Sequence, residues 1–165
     1  MVRPYHRAMQ LPVSSGLRWS CLGFEALTVH QLYALLRLRA EIFVVEQRCA
    51  YLDPDGKDVH PQALHLMAYD SDTLAASVRI LPPGLGYPCP SIGRVVVAAT
   101  HRGTGLGHVL MREALSHLRQ RWPSSEVQLG AQAHLADFYA AHGFVVVSPV
   151  YDEDGIPHVT MRRPA

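Results

Sequence analysis

The chain lacks the features that mark membrane, nucleic-acid-binding and metal-binding proteins. No apolar run approaches the roughly 20 residues that a helix needs to span a bilayer. The 15 Lys and Arg residues nearly balance the 14 Asp and Glu residues and form no basic cluster, so we expect neither a membrane nor nucleic acid as a partner. The ten histidines include no H-E-x-x-H motif, and we expect no metal.

Cysteine is scarce as well. Cys21, Cys49 and Cys89 are odd in number and far apart, which predicts neither a disulfide framework nor a zinc site. This usage fits a reducing compartment, and we expect a cytoplasmic protein.

Residues 1–16 contain no apolar core of a secretory signal, so we expect them to form a disordered N-terminal extension. Residues 17–165 suffice for one domain that buries about 70% of its unfolded surface.

The most informative segment is an apolar strand followed by a glycine-rich turn and a helix. The strand spans Ile92–Val97, and Gly103, Gly105 and Gly107 alternate at the start of an amphipathic helix predicted over Thr104–Arg121. Such a turn directs unpaired backbone N–H groups outward at the positive end of a helix. Glycine leaves room for an anion and permits the positive φ that the turn requires. The segment therefore predicts a phosphate site, and a simple tight turn stays open as the alternative.

Familiar ligand-binding motifs fit these turns poorly. The Walker A loop requires Gly-Lys-Ser/Thr, which the chain lacks. A dinucleotide-binding turn needs glycine where His108 stands, and Glu126, at about the right offset, lies at the start of the next strand rather than at its end. The segment Asp53-Pro54-Asp55-Gly56 resembles the start of a calcium loop, but Leu64 stands where the bidentate Glu is needed. We interpret residues 53–56 as a turn.

Apolar periodicity and turn residues divide the rest of the chain into strands and helices. Thr28 predicts the N-cap of a helix over Val29–Glu46, which we expect to break near residues 39–43. A helix predicted over His134–His142 ends before Gly143. The other predicted strands are Leu17–Glu25, His65–Tyr69, Leu74–Leu81, Val127–Leu129, Phe144–Val147 and His158–Met161. Pro82–Pro90 is predicted as a loop, and residues 151–155 as the connection between the last two strands.

Two short segments in the C-terminal third carry polar groups that suit a site. Gly130-Ala131-Gln132 is predicted to open the loop after the strand Val127–Leu129. Tyr139 lies between Phe138 and the pair Gly143-Phe144, in the last predicted helix. Both phenylalanines are expected in the core, and a tyrosine near a helix end often keeps only its hydroxyl at the surface. Neither segment assigns a function by itself.

The order of these elements is similar to that of the GNAT superfamily of N-acetyltransferases. The resemblance rests on the apolar strand, Arg102-x-x-Gly105-x-Gly107, the long helix, the next strand, and Tyr139 four residues before Gly143-Phe144; it runs from about Leu17 to Arg163. The segments that look more closely like the ElaA branch are LRAEIFVVEQ (38–47), DPDGKD (53–58), LGAQAHL (129–135) and EDGIPH (153–158).

The resemblance implies an α+β fold whose mostly antiparallel sheet of six to seven strands is flanked by helices and splayed between Ile92–Val97 and Val127–Leu129. It implies one N-acetyltransferase domain over residues 17–165, with acetyl-CoA as co-substrate in the splay. The pantetheine arm would pair with the backbone of Val95, Val96 and Val97. The residues expected to hold the pyrophosphate are Arg102, Gly103, Thr104, Gly105, Leu106 and Gly107. Gln132 stands where many members have an asparagine that orients the cofactor.

The reaction implied is transfer of an acetyl group to a primary amine by direct attack in a ternary complex. A backbone N–H near Val96 would polarise the carbonyl, and Tyr139 would protonate the CoA sulfur. The general base is left open among Glu46, Glu153, His134 and His158. The alternatives are a non-catalytic acyl-CoA-binding or sensor protein on the same fold, and a structural domain that binds no nucleotide.

The acceptor is expected to be an amine-bearing small molecule or peptide. In the superfamily, the regions that correspond to two acidic segments of this chain flank the acceptor end of the cleft. These segments contain Glu46, Asp53, Asp55 and Asp58, and Asp152, Glu153 and Asp154. They predict a second cationic group on the acceptor, as in a polyamine, an aminosugar or a lysine-bearing peptide. A homodimer is left open.

Overall fold

One eight-stranded sheet organises residues 16–165, the part of the chain that the computed structural model describes. The strands are β1 (Leu17–Gly23), β2 (Leu64–Asp70), β3 (Thr73–Leu81), β4 (Ser91–Val97), β5 (Val127–Gln132), β6 (Val145–Val146), β7 (Tyr151–Glu153) and β8 (Ile156–Arg163). Their order is β1-β2-β3-β4-β5-β8-β6, with β7 paired to β8, and only the β4–β5 pair is parallel. The predicted α+β fold is confirmed. The expected extension stays a prediction, because residues 1–15 lie outside the described residues.

Helices cover both faces of this sheet. They are α1 (Val29–Arg39), which continues into a π-helical segment (Ala40–Glu46), α2 (Leu106–Arg121) and the short α3 (Ala136–Ala140). Thr28 caps α1 as predicted: its hydroxyl accepts from the Gln31 amide, and the Gln31 side chain accepts from the Thr28 amide. The predicted break near residues 39–43 is confirmed as the change from α to π geometry. Within residues 16–165, no helix has both the length and the apolar character needed to cross a bilayer.

Two apolar clusters hold the helices on opposite faces of the sheet. Leu66 and Ala68 of β2 pack in the cluster that contains α2, whereas Met67 and Tyr69 pack in the cluster that contains α1. This division follows from the two-residue period of a strand, which sends successive side chains to opposite faces. The hairpin β2–β3, which joins the predicted strands His65–Tyr69 and Leu74–Leu81, is therefore covered on both sides.

The sheet splays between β4 and β5, as the resemblance implied. The two strands pair only at Ser91 and Gln128, at one end. Near the point where they part, β4 carries a bulge: its register with β3 shifts between Ser77 and Arg79, and Arg94 has a φ of 53°. A bulge increases local twist and turns the strand, which helps to direct β4 away from β5.

Several predicted boundaries were wrong. The helix predicted from Thr104 begins at Leu106, and the helix predicted over His134–His142 is a 3-10 turn (Ala133–Leu135) followed by α3. Residues 130–132 do not open a loop but extend β5, because they pair with Thr160, Val159 and His158 of β8. Residues 151–155 are not a plain connection: β7 forms a hairpin with β8, which is why the sheet has eight strands rather than six or seven. Asp154 and Gly155 both have positive φ in the two-residue turn, as a tight hairpin turn requires. The first strand ends at Gly23, since a short 3-10 turn follows.

Candidate functional site

A cleft of about 650 Å³ opens where β4 and β5 part. Five of the residues singled out from the sequence line it: Val95, Gln132, Tyr139, Glu153 and His158. They come from β4, β5, α3, β7 and β8, so only the tertiary fold brings them together. Each strand edge that loses its partner here exposes peptide groups toward the cleft.

The glycine-rich turn precedes α2 directly. Gly105 is the N-cap of α2 with a φ of 83°, and no side chain caps the helix. A Cβ atom added at Gly103 or Gly105 would meet no atom within 4 Å, so the turn is open on its outer side. The Thr104 hydroxyl donates to the His101 carbonyl at 2.7 Å and fixes the turn. The geometry is that of an anion-binding helix start.

Arg102 and Glu46 form an ion pair beside this turn. The Arg102 Nη1 to Glu46 Oε1 distance is 2.8 Å, and both side chains are nearly half exposed. Glu46 does not line the cleft. His134, another of the predicted base residues, is exposed and does not line the cleft either. The structure therefore brings Glu153 and His158 to the cleft and leaves Glu46 and His134 outside it.

Tyr139 is buried, with 6% of its surface exposed, and its ring stands edge-on to Phe138 and Phe144. Both phenylalanines pack in or against the core, as expected. Burial raises the pKa of Tyr139 to about 12. The phenol therefore keeps its proton across the physiological pH range. Tyr139 lines the cleft and is a candidate proton donor there, and its raised pKa makes it a weaker acid than an exposed tyrosine.

His158 lies with its Nδ1 atom 2.8 Å from the Ile156 carbonyl oxygen. In the neutral ring this contact places the proton on Nδ1, so that Nε2 carries the free lone pair. Nε2 is 3.9 Å from Glu153 Oε2, and the His158 ring stacks on Tyr151. Across the cleft, Gln132 Nε2 donates to Gln47 Oε1 at 3.0 Å. The sequence analysis did not single out Gln47, which ties β5 to the end of the π-helical segment.

Three arginines and three aspartates form a network that anchors the loop between the π-helical segment and β2. Its members are Arg39, Arg79, Arg94, Asp53, Asp55 and Asp58. Arg39 is 1% exposed and donates at 2.7 Å to Asp53 and 2.8 Å to Asp58. Burial alone would raise the pKa of Asp58, but hydrogen bonds and charge from Arg39 hold it below its usual value. The network carries no net charge.

This network corrects one expectation about the acceptor. Asp53, Asp55 and Asp58 were expected to attract a cationic substrate, but each already holds an arginine. The sequence did contain a signal of these ion pairs. Arg79 and Arg94 interrupt apolar strands, and an arginine is rarely buried there without an acidic partner. Only the second acidic segment, residues 152–154, remains without such a partner among residues 16–165.

Comparison with known proteins gives the family. The model of the acetyltransferase (GNAT) domain family matches residues 52–164. Protein ElaA of Escherichia coli strain K12 is 45% identical over 147 residues, which cover 89% of this chain and 96% of that protein.

The chain belongs to the GNAT acetyltransferase family.

Solved structures agree with this assignment and with the ElaA-like branch. The crystal structure of Escherichia coli ElaA superposes with a TM-score of 0.85 at 44% identity, covering 89% of this chain and 99% of that one. An acyl-CoA N-acyltransferase from Pseudomonas aeruginosa gives a TM-score of 0.85 at 48% identity, with the same coverage. The GNAT fold implies that the protein binds an acyl-CoA. Within the described residues, no group of three or more His, Cys, Asp or Glu side chains is placed to hold a metal.

Proposed function

We propose that this GNAT protein transfers the acetyl group of acetyl-CoA to a primary amine by direct attack in a ternary complex. The proposal rests on one observation, which is that three features adjoin one another. The open turn at the start of α2 follows β4, β4 parts from β5, and the buried Tyr139 lies in the cleft between them. An anion site, an unpaired strand edge and a proton donor are what a CoA thioester and its transfer require.

The residues assigned to the cofactor fit it. The amides of Gly103, Thr104, Gly105, Leu106 and Gly107 would hold the pyrophosphate beside Arg102, whose own amide donates to the Ala99 carbonyl at 3.4 Å. Val95, Val96 and Val97 would hold the pantetheine arm. The strand pairing supports the assignment of the pantetheine arm, because no residue of β4 beyond Ser91 pairs with β5. The Gln132 amide donates one N–H to Gln47, which leaves its second N–H and its Oε1 atom for the cofactor.

Bound acetyl-CoA supplies a thioester carbonyl: the amine nitrogen forms the new C–N bond, and the C–S bond breaks with its electron pair on sulfur. A backbone N–H of Val95–Val97 would stabilise the negative charge on the carbonyl oxygen. Tyr139 would give its proton to the thiolate. His158 Nε2, with its lone pair directed by the Nδ1 contact, would take the proton from the amine. We prefer His158 to Glu46 and His134 because it lines the cleft.

Thermal unfolding with acetyl-CoA tests the cofactor site. A ligand present at a hundredfold excess over its Kd stabilises the folded state by about 2.7 kcal/mol, which raises Tm by about 5–10 °C in a chain of this size. Gly105→Glu places a carboxylate where phosphate must bind, and should weaken binding by about 3 kcal/mol or more. Gly84→Glu is the matched control, since Gly84 also has a positive φ (85°) and open space around an added Cβ.

Two outcomes separate this proposal from its alternatives. Equal acetyl-CoA affinity in wild type, Gly105→Glu and Gly84→Glu would reject the assigned turn. If acetyl-CoA binds but no amine of a panel causes release of the CoA thiol, a non-catalytic acyl-CoA sensor is favoured. If acetyl-CoA does not bind, a structural domain is favoured.

We further propose a cytoplasmic location, which is supported by the three free thiols of Cys21, Cys49 and Cys89. A homodimer stays a prediction that sedimentation analysis would test.

A further inference from the structure

Three side-chain oxygen atoms converge on the backbone of Gly130 in the cleft. From the point where a Cβ atom of this residue would lie, the distance is 3.3 Å to Tyr151 Oη, 3.4 Å to Tyr87 Oη and 3.9 Å to Glu153 Oε2. These side chains come from the β3–β4 loop and from β7, so the fold assembles them at one place on β5. We call this place, defined by Gly130, Tyr87, Tyr151 and Glu153, the oxygen recess.

The oxygen recess carries negative charge that the protein does not neutralise. The arginines that line the cleft, Arg79 and Arg94, are matched by the aspartates of the network. Of the other charged residues that line the cleft, Lys57 is positive, and Glu153 and Asp154 are negative. Among residues 16–165, Glu153 has only His158 within ion-pair distance, at 3.9 Å.

The Tyr87 phenol of the oxygen recess stays a neutral hydrogen-bonding group. Burial raises the pKa of Tyr87, and the nearby Tyr151 and Glu153 raise it further. Neutral phenol oxygens accept hydrogen bonds, and a carboxylate accepts two or more. One carboxylate and two phenols therefore match the three N–H donors of a primary ammonium group.

We propose that the oxygen recess selects acceptors that carry a second ammonium group, as an alkyl diamine does. The inference rests on the proposed acetyl transfer, with His158 as the base for the reacting amine. His158 Nε2 and Glu153 Oε2 are 3.9 Å apart, so two nitrogens that each make a hydrogen bond of about 2.9 Å can lie up to about 10 Å from one another. A diamine with a chain of about five carbons keeps its two nitrogens within this distance.

The test compares 1,5-diaminopentane with 5-amino-1-pentanol, which replaces the second ammonium by a neutral hydroxyl. At saturating acetyl-CoA, we expect at least a tenfold higher kcat/KM for the diamine. Glu153→Gln should lower that preference about tenfold by raising the KM of the diamine, because Glu153 is 53% exposed and its pairing is partly screened by water.

Two further variants sharpen the test. Glu126→Gln makes the same change of charge at the other end of β5, where Glu126 pairs with Arg162, and should leave the preference unchanged. Gly130→Ala puts a methyl group 3.3–3.4 Å from the two phenol oxygens and should reduce the diamine preference as Glu153→Gln does.

The outcomes separate the two proposals. Equal kcat/KM for the two amines in wild type overturns the oxygen recess and leaves the acetyl transfer intact. An equal fall of kcat/KM with both amines in Glu153→Gln would leave the preference unchanged and also overturns the recess. No thiol release from any amine, with acetyl-CoA binding preserved, overturns the proposed function and this inference with it.

Discussion

Replacing Arg39 by Met should destabilise the fold far more than its position near the end of α1 suggests. Arg39 is 1% exposed and gives four hydrogen bonds, at 2.7, 2.8, 3.2 and 3.2 Å, to Asp53 and Asp58. Methionine fills similar space but leaves three aspartates facing two arginines. Removing one partner from a buried ionic network costs about 3–5 kcal/mol, because a carboxylate is left buried without its cation.

Urea unfolding at pH 7, followed by circular dichroism, measures this loss. Arg37→Met is the matched control: the same substitution, two residues away on α1, removes an exposed pair with Glu41 that is worth about 0.5 kcal/mol. A difference of less than about 1 kcal/mol between the two variants would refute the reasoning. The attraction in the network would then do no more than offset the desolvation of its charges.

Three further predictions concern proton transfer, acid stability and the start of α1. Tyr139→Phe should lower kcat about 10²-fold without changing acetyl-CoA affinity, because only the hydroxyl is lost. Asp55 and Asp58 have lowered pKa values, since their arginine partners outweigh burial. Their stabilisation is complete above the unfolded pKa of about 4, so the free energy of unfolding should fall as the pH drops from about 5 towards 2. Thr28→Ala should cost about 1 kcal/mol in urea unfolding, because the cap on Gln31 is removed.

Each of these has an outcome that contradicts it. Wild-type kcat in Tyr139→Phe, with chemistry shown to limit the rate, would make the tyrosine a packing residue. A flat free energy of unfolding between pH 5 and 3 would mean that the aspartates titrate alike in both states. Thr28→Ser keeps the hydroxyl and should retain most of the stability; an equal loss in both variants would locate the effect outside the cap.

The features that the sequence predicted well are those set by residues close together in the chain. The turn with Gly103 and Gly105, the cap at Thr28 and the hairpin β2–β3 depend on neighbouring residues, and their geometry follows from conformational preference and periodicity. The family was indicated by the strand Ile92–Val97, the turn with Arg102, Gly105 and Gly107, the helix and strand after it, and Tyr139 before Gly143-Phe144.

What the sequence did not predict depends on distant partners. Gly130, Ala131 and Gln132 have poor strand propensity, yet they form a strand because β8 supplies hydrogen bonds along their whole length. Asp53 and Asp58 appear as solvated turn residues until Arg39 and Arg79, far apart in the chain, are placed beside them. Pairings of this kind leave no periodic signal.

The single residue pair that joins β4 to β5 also bears on how the protein unfolds. With so few backbone hydrogen bonds between them, strands β1–β4 and β5–β8 are held together mainly by the apolar cluster to which both halves and α2 contribute. The unliganded chain should therefore behave as two weakly linked cooperative units. A ligand that hydrogen-bonds to the edges of both β4 and β5 would hold these two strands together. We expect acetyl-CoA to raise amide protection in β5 and β8 as well as in β4, so that exchange in the two halves occurs as one event.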